Sequence, residues 1–177
     1  MPTSVSGALN LRKALRQFTP DLAKQTQKEM GKYLQPVVKK ARGYIPSDDD
    51  APSGWLLGNQ KGKWERVAFS SNLAKRGIGY KTTPSKANRS GFRSLVSIIN
   101  KNPAGAIYET AGRKSGITGK FTPNLGGDLV GTTQKLRGRA MFRTWQEDQG
   151  RAKGAILKAI FKSKEEFDIK VKAHSNG

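Results

Sequence analysis

The chain predicts an α+β fold: a long kinked N-terminal helix and a C-terminal helix packed on a small antiparallel β-sheet, with long loops or arms. Three observations predict it. Residues 19–46 and 139–163 carry apolar side chains at helical spacing. Between them, WERVAF (64–69), RGIGYKT (76–82) and SLVSIIN (94–100) are short runs rich in Val, Ile, Phe and Tyr. The stretches joining these elements are crowded with Gly, Pro, Ser and Asp, and only 35% of the chain is hydrophobic.

A short helix over residues 9–18 leads the chain. The long helix follows, with Thr19 as N-cap, Pro20 at the first helical position and Asp21 in the first turn. Leu22, Thr26, Met30, Tyr33 or Leu34, Val37 and Ala41 form its apolar face, leaving Lys24, Lys28, Lys32, Lys39 and Lys40 mostly elsewhere. Pro36 removes a backbone donor and predicts a kink near residues 32–36, and Gly43 and Pro46 end the helix. Residues 47–63 read as a loop or arm carrying Trp55, Leu56 and Leu57. Two readings stand: an anchor folded back on the chain's own core, or an arm that docks Trp55 and Leu56 on a neighbouring subunit.

The segment 82–94, TTPSKANRSGFRS, reads as a flexible basic loop between two strands, and 121–138 is loop again. Met141, Phe142, Trp145, Ala152, Ile156, Ala159 and Ile160 make the stripe of the last helix, which Gly150 divides into two shorter helices. FDIKVKA (167–173) alternates like a strand. The expected organisation is one α+β domain over 1–164, with its arm at 47–63, and a tail over 165–177 holding one strand.

Charge restricts function further. Thirty-three Lys and Arg face 13 Asp and Glu, a net +20, which favours a polyanion or an acidic protein face. Catalytic groups are sparse. The only histidine, His174, sits at the C-terminal tip, and there is no cysteine. Asp48, Asp49 and Asp50 lack the spacing of a calcium loop, and GRKSGITGKF lacks that of a phosphate loop. Asp168-Ile169-Lys170 has the flavour of a metal nuclease without an upstream acidic partner. No catalytic, metal or cofactor-binding set is therefore expected. Zinc, basic-zipper and helix-turn-helix signatures are also missing, so any nucleic-acid contact is expected through backbone charge. The N-terminus has no secretory apolar core and no run approaches a membrane span, so no membrane partner is expected.

The segment AGAIYETAGRKSG (104–116) places the lone carboxylate Glu109 among Ala104, Gly105, Ala106, Ala111 and Gly112, with Arg113 and Lys114 after it. Small residues let backbones approach closely, and Glu109 pairs with Arg113 of its own or a neighbouring chain, or both are solvated on an ordinary turn.

Gln35-Pro36-Val37-Val38 with Lys39, Lys40 and Arg42, the exit Tyr44-Ile45-Pro46, and Ile107-Tyr108-Glu109-Thr110-Ala111-Gly112 together carry a resemblance. The chain resembles the neck or tail-completion proteins of long-tailed bacteriophages, the broad group that includes lambda minor tail protein Z. It departs from that pattern by one extra residue between Glu109 and Gly112 and by a long insertion over 48–63. The resemblance implies a non-enzymatic virion protein of the head–tail junction. It implies a homo-oligomeric ring, sixfold by analogy, meeting a portal-side connector and a tail terminator or tube, and assembled in the host cytoplasm. Trp55, Leu56, Ala106, Tyr108, Glu109, Gly112 and Arg113 are then the expected subunit interface. Lys32, Lys39, Lys40 and Arg42 are the expected contacts with channel DNA or an acidic neighbour. The alternative is a free basic protein that binds the DNA backbone.

Overall fold

The computed structural model describes residues 7–50, 55, 69–113, 125, 129–131 and 137–175. In chain order these form α1 (Ala8–Phe18), α2 (Pro20–Gly43), α3 (Ser71–Gly77), β1 (Ile78–Lys81), β2 (Ser97–Asn100), α4 (Pro103–Thr110) and α5 (Met141–Ser175). β1 and β2 pair as a two-stranded antiparallel sheet, so the class is α+β with long first and last helices. The expected strand at 64–69 lies outside the described residues except for Phe69.

The chain divides into two compact units. One draws on residues up to Leu34, on Lys81–Ser97 and on the chain from Gly150; the other on Gln35–Tyr80 and Ile98–Gln149. In the first unit Leu15, Leu22 and Ala23 bury against one another, with Leu11 and Phe167 packed alongside. Met30, Leu34, Ala152, Ile156, Ala159 and Ile160 are buried as well, which selects Leu34 over the exposed Tyr33 for the apolar face of α2. A buried hydroxyl pair, Thr26 Oγ1 and Ser163 Oγ at 2.7 Å, joins α2 to α5. Thr19 ends α1 and starts α2 together. Its N–H donates to the Leu15 carbonyl (2.9 Å) and its own carbonyl accepts the Ala23 N–H (3.1 Å).

The core of the second unit gathers Val38, Ala41, Ile45, Trp55, Phe69, Ala74, Ile78, Ala104, Tyr108, Leu125 and Ala140. Trp55 and Phe69 meet with ring centroids 5.1 Å apart. Ser70 caps α3 by accepting the Leu73 N–H (3.4 Å). At the start of α4, Asn102 Oδ1 accepts the Gly105 N–H (3.0 Å) and Pro103 occupies the first turn, where a missing N–H costs nothing.

Three expectations are corrected here. Residues 103–110 are helix, not a turn after a strand, because the Asn102-Pro103 start signal prevails over the small residues that follow. The last helix runs unbroken through Gly150, since one helical glycine costs about 1 kcal/mol against alanine, which the buried stripe after it offsets. FDIKVKA is also helical, so residues 165–175 continue α5 rather than forming a tail with a strand. Their period-two pattern finds no sheet there. Instead Phe167 packs on the first unit's core, and Lys164 Nζ reaches Asp168 at 2.8 Å one turn on.

Candidate functional site

α4 carries most of one of the three segments on which the resemblance rests, and it aims Tyr108 and Glu109 inward. Glu109 is only 2% exposed. Its Oε2 accepts the N–H groups of Ala140 (2.8 Å) and Met141 (3.0 Å), and its Oε1 accepts that of Phe142 (2.8 Å). These donors sit at the start of α5, where a helix leaves N–H groups unpaired and presents positive potential. Arg139 does the reverse. Its Nη1 donates to the carbonyls of Tyr108 (3.0 Å) and Ala111 (2.7 Å), at the electronegative end of α4. The two helix ends are thus cross-capped, each by a charged residue from the other segment.

The fit around this latch is tight. A Cβ on Gly138 would stand 1.9 Å from Glu109 Oε1, so only glycine allows the carboxylate to reach the helix end. Gly112 closes α4 with a φ of 85°, a left-handed conformation that glycine adopts without strain. The Tyr108 hydroxyl donates to the Tyr44 carbonyl (3.2 Å). Burial pushes the Tyr108 phenol up and the Arg139 guanidinium down; nearby Tyr108 and Glu109 partly offset the latter.

Several site expectations change. Glu109 does not pair with Arg113: its oxygens are taken by backbone donors, while Arg113 Nε donates to the Arg137 carbonyl and its guanidinium lies 4.6 Å over the Phe142 ring. Trp55, Tyr108 and Glu109 are buried within their own unit rather than displayed on its surface. Ala106 remains exposed, Gly112 and Arg113 are half-buried, and Leu56 lies outside the described residues. With three backbone N–H groups on its two oxygens, Glu109 works as an anchor rather than as an acid or base.

The basic candidates on α2 separate. Arg42 donates from Nε (3.2 Å) and Nη2 (2.7 Å) to the Ile78 carbonyl. Lys40 Nζ lies 2.8 Å from Glu147 and 3.3 Å from Asp148. Glu147 also accepts from the Tyr44 hydroxyl (3.0 Å) and from Arg143 Nε (3.3 Å). The hydrogen bond between them raises Lys40 above the ordinary lysine value and holds Glu147 below the ordinary carboxylate value. Lys32, Lys39, Lys40 and Arg42 are all exposed, but Lys40 and Arg42 bond to groups of their own unit.

Sequence reasoning missed a better basic element. Residues 82–94, expected to be a flexible loop, fold on themselves. Ser85 N–H donates to the Ser94 carbonyl, Asn88 N–H to that of Phe92, and Gly91 N–H to that of Asn88, each at 2.9 Å. Asn88 Oδ1 accepts from the N–H groups of Ser90 (3.0 Å) and Phe92 (2.8 Å), and Ser85 Oγ from that of Ser94 (3.0 Å). Gly91 turns the tip with a φ of 73°. At the base, Arg12 Nη1 donates to the Thr82 carbonyl. Lys81, Lys86, Arg89, Arg93 and Phe92 all face solvent. The signal was available as a gap: no Asp or Glu occurs from Arg66 through Tyr108.

Among the described residues no cluster of three or more His, Cys, Asp or Glu could hold a metal ion, and no helix is long and apolar enough to cross a membrane. Comparison with family models, with curated proteins and with solved structures finds no match for the chain.

Proposed function

We propose that the chain is a non-enzymatic structural protein of a phage head–tail junction, assembling as a ring, sixfold by analogy, around the channel through which DNA passes. The observation that carries the reading is the role of the one carboxylate in the segment that resembles tail-completion proteins. Glu109 is used to join two helix ends, which is architecture rather than chemistry. The net charge of +20 agrees with a place beside DNA or beside an acidic ring. Neighbours on the two sides would be a portal-side connector and a tail terminator or tube.

Light scattering at physiological salt tests this. A discrete ring-sized species without DNA, rising with protein concentration, is the expected result, together with detection of the chain in intact virions. A monomer that gains mass only with DNA, and that is missing from particles, would refute the junction in favour of a free nucleic-acid-binding protein.

A further inference from the structure

We propose that residues 81–94 form a finger that grips the phosphate backbone of duplex DNA without reading its sequence. The proposal deepens the junction reading, on which it rests for the source of the DNA. Four cations, Lys81, Lys86, Arg89 and Arg93, stand exposed on this one short loop, inside a 43-residue stretch that contains no carboxylate. No side-chain anion from the neighbouring sequence neutralises them.

The loop's polar framework is satisfied internally by the hydrogen bonds of Ser85, Asn88 and Ser94. The tip is thereby held in one shape without using its charged side chains, so contact costs less ordering than it would for a floppy segment. Lysine, arginine and short hydroxyl or amide side chains are the groups that contact phosphates, and this loop has all of them in Thr82, Thr83, Ser90 and its four cations. Phe92, 40% exposed beside Arg93, adds an apolar face for a sugar edge. An acidic protein would be drawn by the charge alone. The clustering of arginine forks with hydroxyl groups favours phosphate.

The test uses the full chain, with binding to a mixed-sequence duplex titrated across salt concentrations. Three variants are compared with the parent: Lys86→Ala/Arg89→Ala/Arg93→Ala in the finger, Arg89→Lys/Arg93→Lys retaining its charge, and Lys13→Ala/Lys28→Ala/Lys158→Ala on exposed helix positions elsewhere. Loss of three phosphate contacts should reduce the slope of log K against log salt by about 2.7 and weaken binding about a hundredfold at physiological salt. The charge-retaining variant should keep the parent slope, and the helix-surface variant, with the same change in net charge, should move it far less.

Equal losses from the finger and helix-surface variants would overturn the proposal, because binding would then follow net charge. So would a parent protein that fails to bind duplex at low salt, or one bound as tightly by polyglutamate as by DNA. The mass of each variant without DNA is recorded in parallel. A finger variant that still forms a ring but has lost the salt slope supports both readings. A ring in the parent with no DNA binding defeats the finger alone, and DNA binding without a ring defeats the junction alone.

Discussion

Replacing Glu109 by glutamine changes one oxygen into an amide nitrogen and tests whether the latch holds the start of α5. If the amide oxygen keeps Ala140 and Met141, its NH₂ group faces the Phe142 N–H, two donors where a 2.8 Å bond had been. A charge-assisted bond worth about 1.5–3 kcal/mol is lost, and a buried N–H is left without an acceptor at about 1–3 kcal/mol. The favourable interaction of a negative charge with the helix end, about 0.3–2 kcal/mol, goes too. These terms overlap, so the expected loss is about 3–5 kcal/mol, a large share of the 5–15 kcal/mol typical of folded proteins. Urea unfolding followed by tryptophan fluorescence reads it, with Trp145 reporting from the first turns of α5. Glu147→Gln, at a partly exposed carboxylate, is the control and should cost under about 1 kcal/mol. Equal losses from the two variants, or a Glu109→Gln loss below about 1 kcal/mol, would refute the latch.

A second substitution sharpens that test. Gly138→Ala drives a Cβ to 1.9 Å from Oε1, and overpacking of this kind costs about 1–3 kcal/mol or more. With Glu109→Ala in place the clashing oxygen is gone, leaving Phe142 Cβ at 3.0 Å as the next contact. The cost of Gly138→Ala should therefore fall in that background. A cost that is the same in both backgrounds would show that the glycine serves something other than the carboxylate.

The remaining predictions concern other residues. Thr144 is fully buried and its Oγ1 has no hydrogen-bond partner among the described residues, so Thr144→Val should raise stability by about 1 kcal/mol in the same urea assay, and a loss would mean that the hydroxyl is satisfied. Gly150 lies in α5 with nothing among the described residues within 4 Å of an added Cβ, so Gly150→Ala should stabilise by about 0.5–1 kcal/mol, visible as a higher thermal midpoint. The Lys40–Glu147 contact should matter only between two pH limits. Glu147, with its folded value lowered, contributes above the ordinary carboxylate range and loses its contribution as pH falls through that lowered value. Lys40, with its folded value raised, contributes below the ordinary lysine range and loses its contribution as pH rises through the raised value. A double-mutant cycle should show a small coupling at neutral pH that disappears in acid and in 1 M salt; one that survives both would point to packing instead.

The helices were legible because their signals are local. The spacing of Leu22, Thr26, Met30, Val37 and Ala41 on α2 and of Ala152, Ile156, Ala159 and Ile160 on α5 identifies the faces that are buried. β1 and β2 were legible from their β-branched and aromatic runs. What failed depended on partners far along the chain. FDIKVKA alternates like a strand, but a strand needs a neighbour, and α5 continues through it. The start of α4 is written in Asn102-Pro103, but the small residues after it carry no helical stripe that would extend the signal. Glu109 stands out in the sequence as a lone carboxylate, yet its partners lie 31 to 33 residues away on backbone groups, which no side-chain pattern displays. Nor did local sequence show Trp55 meeting Phe69 in one core, so an anchor on its own chain and an arm for a neighbour could not be told apart.

The distribution of charge, more than its total, separates the parts of this protein. Several described carboxylates are engaged within the chain: Glu109 on the start of α5, Asp48 on the Ser71 N–H at 2.6 Å, Glu147 and Asp148 on Lys40, and Asp168 on Lys164. The lysines and arginines outnumber the carboxylates 33 to 13, and the imbalance is greatest around 81–94, where the nearest carboxylates in sequence are Glu65 and Glu109. That arrangement opposes close packing of identical copies, because each brings a net +20 to the contact. A ring of such chains is therefore stable only if the charge is screened or met by an anion that the copies share, and DNA in a channel is such an anion. Under the proposed reading the ring of bare protein forms where salt screens this charge, as at physiological salt, and weakens as salt falls unless DNA is present, which makes the salt dependence of ring formation as informative as that of DNA binding.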